Sequence, residues 1–269
     1  MIKKKIFFNN TFFPKHEKNR MQNEGNVVES RKAFMNKRFN NLDYLLKSRY
    51  EWMKPYLKKD MKIVDIGCGA GLSKLYLSEN ILLTDIVENT WVDKVIDATD
   101  MNFEDESVDV IIAFHTIHHF YNPAKFFNEC KRVLKKNGVI LISDPNTSLM
   151  MRLILKLMRH EGFSYDVDVF DYKSICNDMS DPWSANCAIA ELLFSNEKKF
   201  NDFFLGLNIE HQKKVEFTIF PFSGGVTSKI KMMELPNYIL NVFNTLDKIL
   251  IYLFPKIFPL TRNIVIRKF

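Results

Sequence analysis

The sequence lacks the features that mark secreted, zinc-binding and membrane-spanning proteins. Its four cysteines lie far apart and form no C-x-x-C pair: they are Cys68, Cys130, Cys176 and Cys187. This spacing predicts reduced thiols in a cytoplasmic protein and argues against a cysteine zinc site. The N-terminal apolar run ends at Phe8, which makes it too short for a signal peptide. The longest unbroken run in the apolar C-terminal region, 249–254, is too short to cross a bilayer.

Charged residues are unevenly distributed along the chain. Residues 1–60 carry 15 Lys and Arg against 6 Asp and Glu, whereas residues 61–180 carry 12 against 18. A basic flank can bind nucleic acid, anionic lipid or a phosphate-bearing substrate, but a solvated basic helix surface explains the same excess. With 46% hydrophobic residues, the 269-residue chain can form one large packed α/β domain, or one domain with additions.

A glycine cluster directly follows a short apolar strand. Residues 63–66 are typical of a buried parallel strand, and Gly67, Gly69 and Gly71 permit a tight turn and the close approach of a bound small molecule. A dinucleotide-binding fingerprint, G-x-G-x-x-G, would place its third glycine at position 72, which is Leu72. This difference speaks against a nicotinamide cofactor.

The cluster resembles motif I of the class I S-adenosylmethionine (SAM) dependent methyltransferases. The resemblance rests on the spacing of the three glycines and on Asp65, two residues before the first of them. In that family the glycine loop packs against the methionine part of SAM, and the acid helps to position it. An ordinary strand–turn–helix junction also contains glycines, so the interpretation depends on further landmarks downstream.

Those landmarks follow in the family's order. Asp85 ends the second predicted strand, where a carboxylate suits the two hydroxyls of a ribose, and Asp97 and Ala98 by resemblance contact adenine. Taken singly, Asp85 could be an exposed strand end and Asp97 a turn former. Trp91 lies in a compact crossover like that of a subgroup found in glycan and lipid pathways. Residues 126–145 resemble the family's helix, lysine–glycine turn and strand ending in Asp-Pro.

Three histidines follow the fourth predicted strand, 108–114, at the sheet edge where ligands of open α/β folds bind. By resemblance His115 contacts the cofactor, and His118 and His119 border the transferred methyl group as candidate catalytic residues. An imidazole with a pKa of about 6.5 can take a proton from an attacking hydroxyl. Methyl transfer also proceeds by alignment alone, and one histidine of the pair could pack or cap the next helix. We expect no metal, because no convincing further ligand set accompanies them.

The predicted fold is α/β, a Rossmann-like class I methyltransferase domain with a seven-stranded, mostly parallel sheet, flanking helices and an antiparallel last strand. Residues 1–60 would form an N-terminal arm and a helical lid, helical over 29–57, and residues 61–145 the SAM-binding core. Residues 146–269 would supply a substrate-pocket insertion and the C-terminal part of the same domain. Within that part we predict a helix over 185–204 and strands over 209–220 and 264–268.

The insertion after the fifth strand supplies the candidate residues for binding the methyl acceptor. They are His160, Glu161, Tyr165 and Trp183. An exposed loop is the alternative for each of them. The apolar segment 235–258 could pack against the sheet or contact a membrane peripherally.

The resemblance implies methyl transfer from SAM to an oxygen or nitrogen of a small-molecule acceptor, with a glycan or lipid intermediate as the suggested class. Nucleic acid is disfavoured as a partner, because no Asn/Asp-Pro-Pro-aromatic motif follows the fourth strand. Two alternatives from other classes are a non-catalytic scaffold with this fold and a nicotinamide-dependent oxidoreductase. We expect a cytoplasmic protein that could attach peripherally to the membrane.

Overall fold

The computed structural model describes residues 10–13, 27–159, 161–181, 183–226 and 232–269. The elements up to residue 114 are β1 (Thr11–Phe12), α1 (Val27–Asn36), α2 (Asn40–Glu51), β2 (Ile63–Ile66), α3 (Ser73–Tyr76), β3 (Leu82–Asp85), β4 (Lys94–Val95) and β5 (Val108–Phe114). Those that follow are α4 (Pro123–Val133), β6 (Leu134–Pro145), α5 (Leu149–Met158), β7 (Phe163–Ser164), α6 (Ile189–Phe194), α7 (Glu197–Phe203), β8 (Leu207–Val215), α8 (Ile219–Ser223), α9 (Asn237–Leu253) and β9 (Thr261–Lys268).

Seven strands form one sheet in the order β4-β3-β2-β5-β6-β9-β8. The pairs β3–β4, β2–β3, β2–β5 and β5–β6 are parallel, whereas β9 runs antiparallel to both β6 and β8. The prediction of a seven-stranded, mostly parallel sheet with an antiparallel last strand is therefore confirmed. The chain leaves β2 towards β3 on one side and later returns to β5 on the other, which opens a crevice at the carboxyl ends of these strands.

Helices cover both faces of the sheet because its central strands are apolar on both sides. In β5, Val108, Ile111 and Ala113 belong to one buried cluster, and Val110 and Ile112 to the other. The first cluster includes buried side chains of α4, α6 and α7, and the second those of α1 and α2. Alternation along a pleated strand thus gives a three-layer α/β/α domain.

The predicted lid helix over 29–57 is two helices in the structure, separated at residues 37–39. The break is stabilised by a distant segment. The Asn41 side chain donates to the carbonyls of Phe222 and Met233 and accepts from the Leu235 amide. Apolar periodicity continues through the break, so the pattern alone could not locate it.

Two other boundaries differ from the prediction for equally local reasons. The predicted helix over 185–204 is interrupted at Asn196, whose side chain caps α7 by accepting from the Lys199 amide. The predicted strand over 209–220 stops at Val215 because Glu216 adopts a left-handed backbone, with φ of 65°. The Asp247 carboxylate then accepts the backbone amides of Phe217 and Thr218.

Among the described residues, no helix has both the length and the apolar character that a membrane crossing requires.

A buried ion pair joins the lid to the sheet. Arg49 of α2 donates from Nε and Nη2 to the two carboxylate oxygens of Glu216, at 2.7 and 2.6 Å, and both side chains are only 7% exposed. The Arg49 guanidinium also lies 5.4 Å from the ring centre of Phe220. Because a bidentate pair satisfies both charged groups in a low-dielectric setting, its two partners depend strongly on each other.

We expect Arg49→Met to lower the free energy of unfolding by about 3–5 kcal/mol, because it leaves the Glu216 carboxylate buried without its cation. The double variant Arg49→Met, Glu216→Gln removes both charges and should recover more than half of that loss. Urea denaturation of the wild type and the two variants measures this. A double variant as unstable as the single one would contradict the assigned pairing.

Candidate active site

A cavity of about 330 Å³ lies at the carboxyl edge of the sheet. Its walls come from the glycine loop after β2, the ends of β3 and β5, helices α2 and α5, and the insertion after α5. The carboxyl ends of neighbouring parallel strands converge there, which is the ligand-binding position of open α/β sheets.

The three glycines of the loop all have a positive φ, but the space beside their backbones differs. A Cβ at Gly67 would lie 2.1 Å from the Thr116 hydroxyl, and one at Gly71 would lie 2.6 Å from the Trp91 ring. These two positions are therefore fixed by internal packing. At Gly69 a Cβ would meet only Val27, at 3.9 Å. Gly69 is thus the glycine of the loop that leaves open space beside its backbone.

The lid helix α1 and Trp91 hold the loop from outside. Arg31 donates to the carbonyls of Ala70 and Gly71, and its guanidinium lies 4.9 Å from the ring centre of Trp91. The indole Nε1 of Trp91 in turn donates to the Gly69 carbonyl at 2.8 Å. The carbonyls of Gly69, Ala70 and Gly71 therefore accept hydrogen bonds from protein side chains, which fixes the conformation of the loop.

Asp85 and Asp97, the residues predicted to bind a ribose and an adenine, both line the cavity. Asp85 Oδ2 accepts the Gly69 amide at 2.8 Å, and Oδ1 accepts the Val87 amide at 3.0 Å. Asp97 uses Oδ1 for both the amide and the hydroxyl of Thr99. Each carboxylate is therefore held in place by backbone donors and retains lone pairs for a ligand. Ala98 lies next to Asp97 in the same wall.

Asp65 does not line the cavity, in contrast to the more direct role suggested by the motif. It is buried beneath the loop, where it accepts the Ser73 hydroxyl at 2.5 Å, and its Oδ1 has no hydrogen-bond partner among the described residues. Burial raises the pKa of Asp65 to about 7 against the lowering effect of the Ser73 hydrogen bond, and the Asp85 charge adds to the rise. Asp65 therefore contacts Ser73 at the start of α3 and does not line the cavity.

His115 is held in a strained position at the end of β5. Its backbone is left-handed, with φ of 50°, and its amide donates to the Ser143 carbonyl at 2.7 Å. The imidazole faces the cavity, and its Nε2 is buried without a partner among the described residues. Burial, and then the Arg49 charge, lower the pKa of His115 well below its usual range. It is therefore a neutral imidazole at physiological pH. A non-glycine residue in this conformation is typical of functional sites.

His118 lies between two carboxylates. Its Nδ1 is 2.9 Å from Asp144 Oδ1 and its Nε2 is 3.7 Å from Glu161 Oε1. Burial alone would lower the pKa of His118, but Asp144 and Glu161 outweigh it and raise the pKa to about 10. The imidazole is 2% exposed and is protonated at neutral pH in this arrangement. Its predicted role as a general base is therefore not favoured while the carboxylates hold that proton.

His119 and Trp183 form the neighbouring wall. The two rings are 6.4 Å apart and nearly perpendicular, and His119 Nδ1 lies 3.0 Å from the Ser184 carbonyl oxygen. A carbonyl oxygen can only accept, so Nδ1 carries the proton and Nε2 the lone pair. His119 thus keeps the character of a candidate base that the sequence assigned to the pair.

The insertion after α5 brings Glu161 and Trp183 to the cavity, as predicted. Tyr165 does not reach it. Its hydroxyl donates to Glu191 at 2.5 Å and accepts from Arg152 at 2.8 Å. That network holds α5 against the insertion, so the tyrosine's position does not support contact with the acceptor. The remaining predicted residue, His160, lies outside the described residues.

Several residues that shape the site were not predicted. Asp144 was assigned only to the end of a strand, yet it is fully buried and holds His118. The one available signal was its place at the carboxyl end of β6, beside the strand that carries the histidines. The lid pair Arg49 and Glu216 also lines the cavity, and a separation of 167 residues gave no local signal of it.

The pKa of Asp65 predicts how stability depends on pH. Since the folded-state pKa of about 7 exceeds the usual value of 3.8, the folded protein holds a proton that the unfolded chain releases. The free energy of unfolding should therefore fall as the pH rises from about 4 to about 7, by up to roughly 4 kcal/mol from this group. Asp65→Asn should flatten this fall. Urea midpoints measured across that range test it, and equal pH dependence in both proteins would contradict it.

Known proteins with similar sequences are methyltransferases. Residues 64–142 match the family model described as a methyltransferase domain. Over 42 residues the chain is 50% identical to a probable S-adenosylmethionine-dependent methyltransferase of Mycolicibacterium smegmatis and 45% identical to one of Mycobacterium tuberculosis. These matches cover 16% of this chain and span only 16% and 15% of the length of the two curated relatives.

A solved structure extends the similarity beyond that segment. A SAM-dependent methyltransferase from Archaeoglobus fulgidus aligns with a TM-score of 0.51 and 20% identity, over 88% of this chain and 99% of that one. At this identity the likeness shows the fold. The matched domain shows that residues 64–142 are similar to a methyltransferase domain, and most of the chain shares the fold of a SAM-dependent methyltransferase.

Proposed function

We propose that the protein transfers a methyl group from SAM to an oxygen or nitrogen of a small-molecule acceptor. The observation that carries this proposal is one continuous cavity with two unlike ends. The glycine loop, Asp85 and Asp97 form one end, and the other is formed by His118, His119, Glu161, Trp183 and the apolar side of α5. A transfer reaction needs a donor and an acceptor side by side in this way.

The donor end has the polar groups that SAM requires. Asp85 can accept ribose hydroxyls on lone pairs that the Gly69 and Val87 amides leave over, and Asp97 can offer Oδ2 to an adenine amino group. The open space beside Gly69 admits the methionine part against the loop backbone. When bound, SAM supplies an electrophilic methyl group on a positively charged sulfur. The half-buried carboxylates of Asp85 and Asp97 make this end of the cavity negative, which suits that charge.

Alignment and desolvation are the main contributions of the protein to such a reaction. Residues of helices α1 and α2 and the Arg49–Glu216 pair line one side of the cavity, where they would displace water from bound reactants. For a hydroxyl acceptor, His119 can accept the departing proton on Nε2, because Ser184 fixes its tautomer. An amine acceptor that arrives neutral needs no base before transfer.

We further propose an acceptor with a substantial apolar part, as in a lipid or a lipid-linked glycan. The acceptor end is lined on one side by Met151, Ile154, Leu155 and Met158 of α5. On the outer surface, helix α9 exposes an apolar stripe next to Lys248 and Lys256. The stripe, with exposures of 46–70%, consists of Tyr238, Val242, Leu246, Ile249 and Leu253. These features support a cytoplasmic protein that attaches peripherally to an anionic membrane.

Two alternatives predict different outcomes. A scaffold with this fold would bind SAM without turnover. A nicotinamide-dependent oxidoreductase would need a glycine where buried Leu72 begins the turn into α3, and that side chain packs in the core with Leu83. The loop therefore favours SAM over a dinucleotide.

Methyl transfer itself is the first test. We expect label from SAM with a radioactive methyl group to enter lipid or glycan acceptors extracted from cells. Asp85→Asn should weaken SAM binding at least tenfold, about 1.4 kcal/mol. The variant loses one of the two oxygens that could accept ribose hydroxyls, while its remaining oxygen can still accept the Gly69 amide. Glu88→Gln, at an exposed carboxylate three residues away, should leave binding unchanged. SAM binding without transfer to any acceptor class would favour the scaffold instead.

The membrane component has its own test. Ile249→Glu should reduce co-sedimentation with vesicles containing anionic lipid at least tenfold, because it places a charge in the centre of the apolar stripe. Asn241→Glu adds the same charge on the polar side of α9 and retains an acceptor for the Tyr44 hydroxyl, so it should have a much smaller effect. Equal loss in the two variants would indicate a general charge effect rather than insertion of the stripe.

A further inference from the structure

The acceptor end of the cavity contains a cluster of two imidazoles and a carboxylate. One ligand atom from each of His118, His119 and Glu161 lies within 4.8 Å of the other two. Two histidines and one carboxylate are a ligand set used for Zn²⁺ and other divalent transition-metal ions in enzymes. This ligand set cannot be recognised from the sequence, because 42 residues separate Glu161 from the histidine pair.

The orientation of both imidazoles is fixed by groups behind them. His118 Nδ1 is 2.9 Å from the Asp144 carboxylate, and His119 Nδ1 is 3.0 Å from the Ser184 carbonyl oxygen. Both acceptors favour a proton on Nδ1, so Nε2 is the nitrogen of each ring that can bind an ion. His118, an imidazolium between its two carboxylates, would release its Nε2 proton when the ion binds. Metal-binding histidines are oriented by this kind of contact, with a carboxylate or a backbone carbonyl on the far nitrogen.

The separations and charges also suit a divalent cation. His118 Nε2 and Glu161 Oε1 are 3.7 Å apart, too far for a hydrogen bond. Two tetrahedral ligands with bonds of about 2.0–2.1 Å to Zn²⁺ are roughly 3.4 Å apart, so a small contraction suffices. Asp144 is fully buried and Glu161 is 17% exposed, and their two negative charges would balance one M²⁺ ion beside neutral imidazoles.

We propose that His118, His119 and Glu161 form a binding site for a divalent transition-metal ion of the Zn²⁺ class, positioned by Asp144 and the Ser184 carbonyl. All three ligands line the cavity, so a fourth coordination position faces the acceptor. An ion there would occupy the Nε2 lone pair of His119, so the ion and not His119 would activate a hydroxyl acceptor, by binding its oxygen and lowering the pKa of its hydroxyl. This role, but not the binding of the ion, rests on the proposed methyl transfer.

Metal binding can be measured without turnover. The full-length protein is treated with a chelator, dialysed, and titrated with Co²⁺, which is coloured and replaces Zn²⁺ in such sites. We expect visible absorption bands that saturate at one equivalent and are abolished by Zn²⁺. His119→Ala and Glu161→Gln should each weaken Co²⁺ binding at least tenfold. His119 is half-buried, so its replacement is better tolerated than that of buried His118.

His211→Ala provides the control, because this exposed histidine lies on β8 away from the cavity, and it should bind Co²⁺ as the wild type does. SAM binding is titrated in parallel in the same variants. Wild-type protein that binds SAM but shows no saturable Co²⁺ absorption, or absorption unchanged by His119→Ala and Glu161→Gln, would overturn the metal site and leave methyl transfer standing. Histidine-dependent Co²⁺ binding without SAM binding would support the site and overturn the proposed function.

Discussion

The parallel pairing of the central strands determines where a cavity can form in this domain. β2 is paired in parallel with β3 on one side and β5 on the other, so the connections after these strands diverge and leave a crevice between them. Backbone groups at the carboxyl edge of the sheet must find partners other than strands. The loop after β2 finds them in Asp85, Trp91 and Arg31, and the turn after β5 in Ser143. The polar groups at this edge that still face open space line the cavity.

The cofactor end of the site could largely be predicted from the sequence because its determinants are local. The glycine spacing, the acid that ends β3 and the acid after β4 all lie within 35 residues, and each follows or ends a strand of the sheet. The predicted roles of Gly69, Asp85 and Asp97 agree with their positions in the cavity wall. Gly67 and Gly71 match the motif for a different reason, since Thr116 and Trp91 occupy the space beside them.

The acceptor end could be predicted only in part, because long-range contacts determine it. The histidines after β5 were found through resemblance, but Asp144, which sets the charge of His118, and Glu216, which pairs with Arg49, carry no sequence signal of their partners. Tyr165 is a residue that the sequence places in the site and the structure does not. It lies in the insertion that supplies the acceptor-binding candidates, but its hydroxyl is hydrogen-bonded to Glu191 and Arg152 and does not reach the cavity. Helix boundaries such as Asn41 and Asn196 were missed because side-chain hydrogen bonds, not apolar periodicity, set them.

We infer that the loop after β2 binds SAM and not a dinucleotide. Isothermal titration calorimetry of the purified wild-type protein with SAM, and separately with NADH, distinguishes the two cofactors. We expect saturable binding of one SAM per chain and no measurable binding of NADH. Folded protein that bound NADH, or neither compound, would contradict it, because the open space at Gly69 and the carboxylates of Asp85 and Asp97 would then serve another purpose.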